Sequence, residues 1–432
     1  MYRSARLALC AMVAGGGAIA QAPAPSQKIL IHAGRLIDGQ SNAARADQGI
    51  EVIGGRITAV GLWSELSARS GPRQDIDLST MTVLPGLIDA HTHVLLQGDV
   101  TAADYDEQLL KESIPYRTIR ATMAARTALT NGFTTIRDLE TEGAMYADVD
   151  VKNAIARGVI PGPRMFVATR AMAPTGMYPL SGYSWELQVP EGVQIVDGVD
   201  AIRKAVREQV KYGADWIKFY ADRGYYLGDD GRLRSRVNFT DEEMKALVDE
   251  SHRLGRKVAA HAMAWDGIDA ALRAGVNSIE HGHGMTPDLL DRLVKQGVYW
   301  CPTIFVGRYV AQGRGGVWPR MTELLRTAFG DAVKRGAGDL IVYGTDAGGY
   351  PWTENQAQEL AIMVEYGMTP LQAIRTATIN AARLLDQGAE LGAVAPGRAA
   401  DLIAVANDPL ADIRELQRVR FVMKAGAVIP RP

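Results

Sequence analysis

The sequence is poor in cysteine, with 2 in 432 residues, and its formal net charge is only −2. A near-neutral balance with no cluster of lysine and arginine argues against nucleic acid as a partner. Beyond the first 25 residues, no stretch approaches the roughly 20 apolar residues that a membrane span requires. No nucleotide-type glycine loop follows the first strand-like run, which counts against a doubly wound open sheet. Cys10 falls in an N-terminal leader whose removal leaves Cys301 alone, so no intrachain disulfide can form. Cys301 sits in Val298-Tyr-Trp-Cys-Pro-Thr303, which reads as a buried strand, and packing explains it better than catalysis.

The leader itself has a clear pattern. Arg3 and Arg6 precede an apolar, Gly-rich stretch from Leu7 to Ala20 that ends Ala18-Ile19-Ala20. This is the pattern of a secretory signal over residues 1–20, with cleavage expected after Ala20 because Pro23 disfavours the next site. Leu9 stands where a lipid-anchor signal needs a small residue. Export to a bacterial periplasm is expected, with no membrane attachment after signal removal.

At 47% hydrophobic and 22% charged, the rest has globular composition and length for one large domain plus a small one. From residue 132 onward one phrase recurs: an amphipathic stretch, a glycine, then a short apolar run. Gly132, Gly213, Gly255, Gly275 and Gly297 each hold the glycine position, where a left-handed helix cap is expected. Helix starts are marked by the capping box Thr240-Asp-Glu-Glu243 and by Thr286-Pro287 and Thr369-Pro370. Strands are expected at 83–90, 133–139, 164–170, 214–220, 257–261, 276–281, 298–303 and 340–346. Eight strands alternating with helices predict an α/β fold, a (β/α)8 TIM barrel over residues 83–392. Short alternating segments at 28–82 and 393–432 predict a small β-sandwich domain built from both chain ends.

His91-Thr-His93 closes the run Val83 to Ala90. Residues two apart on a strand face the same way, so both imidazoles can reach one metal ion. Lys218, His261, His281 and Asp346 each close another strand-like run, and barrel active sites lie at such ends. Imidazole and carboxylate suit Zn²⁺. An ammonium cannot ligate a cation, so Lys218 belongs to the set only as a neutral amine or a carbamate. Its apolar neighbours Trp216, Ile217 and Phe219 would lower its pKa; the alternative is a rim lysine paired with Asp215. His283 is either a loop residue near substrate or structural, while His32 and His252 read as structural and surface residues.

Leu84-Pro-Gly-Leu-Ile-Asp-Ala-His-Thr-His93 resembles the first-strand signature of the amidohydrolase superfamily. Asn380-Ala-Ala382 with Leu391-Gly-Ala-Val-Ala-Pro-Gly-Arg-Ala-Ala-Asp401 resembles its closing segment. Gly132-Phe-Thr-Thr-Ile-Arg-Asp138 and Ser278-Ile-Glu-His281 are similar to the imidazolonepropionase-related branch, which includes Xaa-Pro-type dipeptidases. Ochratoxin and acyl-amino-acid amidohydrolases lie near it. The resemblance implies two divalent metals, taken as zinc, with His91 and His93 on the buried one. It further implies His261 and His281 on the second, Lys218 carboxylated by CO₂ to bridge both, and Asp346 from the eighth strand. A metal-bridging hydroxide would attack an amide with Asp346 as general base and then acid. A homo-oligomer and a carboxylate-holding Arg137 are also implied.

The loop Ala173-Pro-Thr-Gly-Met-Tyr178 replaces the Gly-Gly-His-Gly-like loop of the branch's dipeptidases. Met177, Tyr183, Trp185, Tyr220, Tyr225, Tyr226 and Trp318 then suggest either a pocket for an aromatic or large acyl group, or packing. The expected substrate is a small N-acyl or dipeptide amide with a free carboxylate; ochratoxin A, phenylalanine amide-linked to a chlorinated isocoumarin, has that shape. The alternatives are a deaminase, an imidazolonepropionase-like cyclic-amide hydrolase, or a non-catalytic binding protein. A deaminase would want His-x-x-Glu, and His261-Ala-Met-Ala264 lacks the Glu.

Overall fold

The computed structural model describes residues 28–430 except 100, 179 and 181; the expected signal segment lies outside them. Strands and helices alternate as the glycine-punctuated repeat predicts. All five glycines of that repeat have positive φ. The capping boxes at Thr240/Glu243 and Thr369/Gln372 both form, whereas Thr286 precedes its helix without a side-chain cap. Helix Pro287–Gln296 buries Leu289, Leu290 and Leu293 on one face.

Parallel pairing links Leu87–Thr92 to Phe133–Asp138 and then to Arg164–Val167. The third run resumes at Met172–Ala173, which pairs with Trp216–Tyr220. Pairing then passes through Lys257–Ala262 and Ser278–His281 to Tyr299–Cys301. Single bridges join Trp300 to Ile341 and Thr92 to Ala347, so the pairing returns to its first member. Inside this circuit lie small and aromatic side chains from successive strands, among them Ala90, Trp216, Ala259, Cys301 and Val342.

Two expected strands take a different form. The run 83–90 is divided: Gln74–Pro85 pairs with Leu402–Val405, and Leu87–Thr92 alone enters the circuit. Gly86 is the break, and a Cβ there would lie 2.2 Å from Thr134 Oγ1. The eighth run is a 3-10 turn at Ala337–Leu340 followed by isolated bridges, because positive φ at Asp346 and Gly348 interrupts any ladder. An antiparallel hairpin, Asp222–Leu227 with Leu233–Val237, was not expected from the sequence.

The described segments nearest the two ends meet in one seven-stranded sheet. It runs Ala427–Val428, Phe421–Lys424, Leu402–Val405, Gln74–Pro85, Ile29–Leu36, Arg45–Ile53, Arg56–Leu62. Its own apolar cluster includes Ile31, Ile50, Val83, Leu402 and Met423. The hydrogen bonding is continuous across these strands rather than divided between two sheets, which departs from the expected sandwich. Among the described residues no helix is long and apolar enough to cross a membrane.

Candidate functional site

One cavity of about 700 Å³ is lined by all six expected ligands, His91, His93, Lys218, His261, His281 and Asp346. Three of them converge tightly. Asp346 Oδ1 lies 2.9 Å from His93 Nε2 and 3.6 Å from His91 Nε2. His91 Nε2 is buried and has no hydrogen-bond partner. The opposite ring nitrogens are fixed from behind: His91 Nδ1 lies 2.9 Å from Glu280 Oε2, and His93 Nδ1 lies 3.3 Å from the Glu140 carbonyl. Imidazoles oriented by a carboxylate or carbonyl behind them are the usual metal ligands. These donors therefore fit a divalent cation.

The remaining three adjoin them. The His281 ring lies 5.0 Å from His91 and 4.5 Å from His261, and His281 Nδ1 lies 2.8 Å from Thr303 Oγ1. The Tyr225 hydroxyl meets His261 Nε2 at 2.7 Å, so a cation on that nitrogen must displace it. Lys218 is buried and has no acid within ion-pairing distance among the described residues. The alternative pairing with Asp215 does not form: that carboxylate is taken by Lys152 at 2.5 Å and the Val167 amide at 2.9 Å.

Three of the four imidazoles are held in the neutral state that ligation needs. Burial pushes His91 down to about 4 and His261 and His281 well below the ordinary value, which keeps these imidazoles neutral. Burial also lowers the Lys218 pKa, toward the neutral amine. Burial opposes a charged Asp346, but His91 and His93 outweigh it and hold the carboxyl at about 2. Burial opposes a charged His93 as well, yet Asp346 raises it to about 10. Positive charge is thus favoured where the three ligand atoms converge.

The backbone is strained around this point. His281 (φ 73°), Thr303 (φ 45°) and Asp346 (φ 60°) end three successive runs in the left-handed region. Each costs about 1–3 kcal/mol, a cost that clusters at functional sites. The turn at His281 has a visible effect. Ser278 and Glu280 share one strand face and bond each other at 2.5 Å, whereas His281 reaches the cavity.

Arg137 is placed differently from the expectation. Its guanidinium is fully buried and does not line the cavity. It bonds Glu280 Oε1 at 2.8 Å, Ser278 Oγ at 3.2 Å and the Ala90 carbonyl at 2.6 Å, and lies 4.4 Å from the Trp216 ring. Held by these buried partners, it braces Glu280 instead of facing substrate. Tyr226 is 53% exposed and Trp185 91% exposed, and neither lines the cavity. Met177, Tyr178, Tyr220, Tyr225, Trp318 and His283 do. Both ring nitrogens of His283 are buried without a partner. His32 stacks on Trp63 and His252 bonds Asn277, both remote from the cavity. Burial drives the Cys301 thiol well above its usual pKa, in keeping with packing.

Sequence reasoning missed Glu280, Glu140 and Glu142. Glu140 accepts the Tyr220 hydroxyl at 2.6 Å, and Glu142 accepts Tyr105 at 2.7 Å and Tyr178 at 3.0 Å. Nothing in local spacing marks these acids, because their partners are distant in sequence.

A cavity at strand ends that gathers imidazoles, a buried lysine and an acid defines a metal-dependent hydrolase site. The chain belongs to the amidohydrolase family, whose model matches residues 82–429. It is 32% identical to ochratoxinase from Aspergillus niger, over 93% of this chain and 87% of that one. It is 23% identical to imidazolonepropionase from Chloroflexus aggregans, over 89% and 90%. A solved Xaa-Pro dipeptidase with bound methionine in its active site superposes with a TM-score of 0.82 at 33% identity, covering 93% of this chain and all of the other.

Proposed function

We propose that the chain is a (β/α)8-barrel hydrolase with a two-metal centre that releases a C-terminal amino acid from an N-acyl or dipeptide-like amide. The observation that carries this reading is the convergence of all six expected ligands on one cavity. His91, His93 and Asp346 would hold one cation and His261 and His281 a second, with a carbamate on Lys218 completing the donor set. Zinc suits this donor set. Bound metal supplies Lewis acidity and lowers the pKa of water to about 7.

The chain's own groups do the rest. Asp346 takes a proton from the attacking water and delivers it to the amide nitrogen as the C–N bond breaks. Glu280, held by Arg137, fixes the His91 ring and its tautomer. His283 offers an N–H to the acyl oxygen, since burial lowers its pKa to about 4 and keeps the ring neutral. Met177, Tyr178 and Trp318 give the cavity an apolar wall for a large acyl group.

The similarity to ochratoxinase supports an aromatic amino-acid amide such as ochratoxin A, and the Xaa-Pro dipeptidase supports dipeptides. A deaminase reading leaves the buried Lys218 unexplained, and a non-catalytic reading leaves six preserved ligands without a purpose. The test is a screen of N-acyl amino acids, dipeptides and ochratoxin A on the zinc-loaded protein, reading free C-terminal amino acid. Release is expected; failure on every carboxylate-bearing amide overturns the proposal.

A further inference from the structure

If Arg137 is buried behind the site, another cation must recognise the substrate's carboxylate. The hairpin Asp222–Leu227/Leu233–Val237 supplies candidates. Arg223 and Arg236 are register partners in it, and both line the cavity. Directly opposed residues of an antiparallel pair share a face, and like charges there repel. Neither guanidinium has a salt bridge or hydrogen bond among the described residues, and Arg223 Nε is buried without a partner. Two facing arginines without an acid form an arrangement that an anion would complete.

Arg223 is the better placed of the pair. Its guanidinium lies 4.1 Å from the Tyr178 ring and 4.9 Å from the Tyr220 ring. No hydrogen bond among the described residues engages the guanidinium, so its N–H groups can offer a two-point grip to a carboxylate. The nearby acids are engaged by phenols: Glu142 accepts Tyr178, and Glu140 accepts Tyr220. Asp222 fixes the backbone beside it, accepting from the amides of Met263 at 3.0 Å and Ala264 at 2.8 Å. Arg314, also on the cavity wall, is already bonded to Asp99 at 3.0 Å, and Arg236 is exposed.

We infer that Arg223, with Arg236 beside it, seats the free carboxylate of the substrate. This rests on the amide-hydrolase reading above and names the residue that selects its substrate class. The test compares N-acetyl-phenylalanine-type acids with their C-terminal amides as substrates, for the zinc-loaded wild type and R223Q. Calorimetric binding of L-phenylalanine against L-phenylalaninamide runs in parallel. The wild type should prefer the acid by at least about 30-fold in kcat/KM, the scale of one desolvated charge pair. R223Q should lose at least about 10-fold of that preference, mainly through KM, and R223K should restore part of it, since it keeps charge but not the planar fork. R236Q, at an exposed position, should fold normally and reduce the preference less. Circular dichroism and metal content verify folding.

A preference unchanged in both R223Q and R236Q overturns the inference. If no amide is cleaved at all, the hydrolase reading falls and calorimetry decides the site. Tighter binding of phenylalanine than of its amide, lost in R223Q, upholds the carboxylate seat; equal binding of the two by the wild type removes it.

Discussion

His91 illustrates how one side chain is fixed by several others. Asp346 sits at its Nε2 and Glu280 at its Nδ1, and Glu280 is in turn gripped by Arg137 and Ser278. Burial raises the Glu280 pKa, but Arg137 and His91 overcome this and hold the carboxyl well below the usual range. Glu280→Gln should therefore weaken metal affinity by about 10–100-fold, the cost of losing a carboxylate behind a ligating imidazole. It should also lower stability by about 3–5 kcal/mol, because Arg137 is left charged and unpaired in the interior. Metal titration and thermal unfolding of the variant measure both. Asp346→Asn should retain most of the metal while turnover falls by about 10²–10⁴-fold, the range for loss of a proton-transfer group. Unchanged turnover would remove Asp346 from that role. The six candidate ligands were legible in the sequence because each lies in or just after a recognisable strand-like run. Glu280 was not, since its importance comes from Arg137, a residue far away in the chain.

Among elements, those with strong local signals matched expectation. The glycine caps and the Thr240 and Thr369 boxes placed helices correctly because the chemistry that ends or starts a helix is local. The eighth run was legible as apolar but not as irregular, since the left-handed turn at Asp346 is imposed by the closing contacts around it. The joint at Gly86 was likewise hidden, because the need for glycine comes from Thr134 on the neighbouring strand. The hairpin after Tyr220 carries mixed charge and no clean alternation, so its pairing was invisible, and with it the opposed arginines. Asp222 anchors that hairpin to the next strand end through two amides and to Ser235 Oγ at 2.8 Å. Asp222→Ala should cost about 1–3 kcal/mol, the penalty of leaving buried amides unpaired. It should also raise KM for carboxylate substrates; a variant with wild-type KM would show that the hairpin needs no anchor to position Arg223.

For the whole molecule, the chain ends return to one sheet that carries the strand leading into His91. Gln74–Pro85 pairs with Leu402–Val405 and passes through Gly86 directly into Leu87–Thr92. Loss of the C-terminal strands should therefore disturb the metal site as well as the small sheet. The signal-like pattern of residues 1–20 gives an expectation: terminal sequencing of exported protein should find Gln21 first, and a retained Met1 would contradict it. The central claim, however, is that six side chains from several strands, gathered on one cavity, form one two-metal centre. Metal analysis of the purified, zinc-loaded protein tests it most directly: about two ions per chain are expected of a bridged hydrolytic centre, and one ion or none would contradict the account.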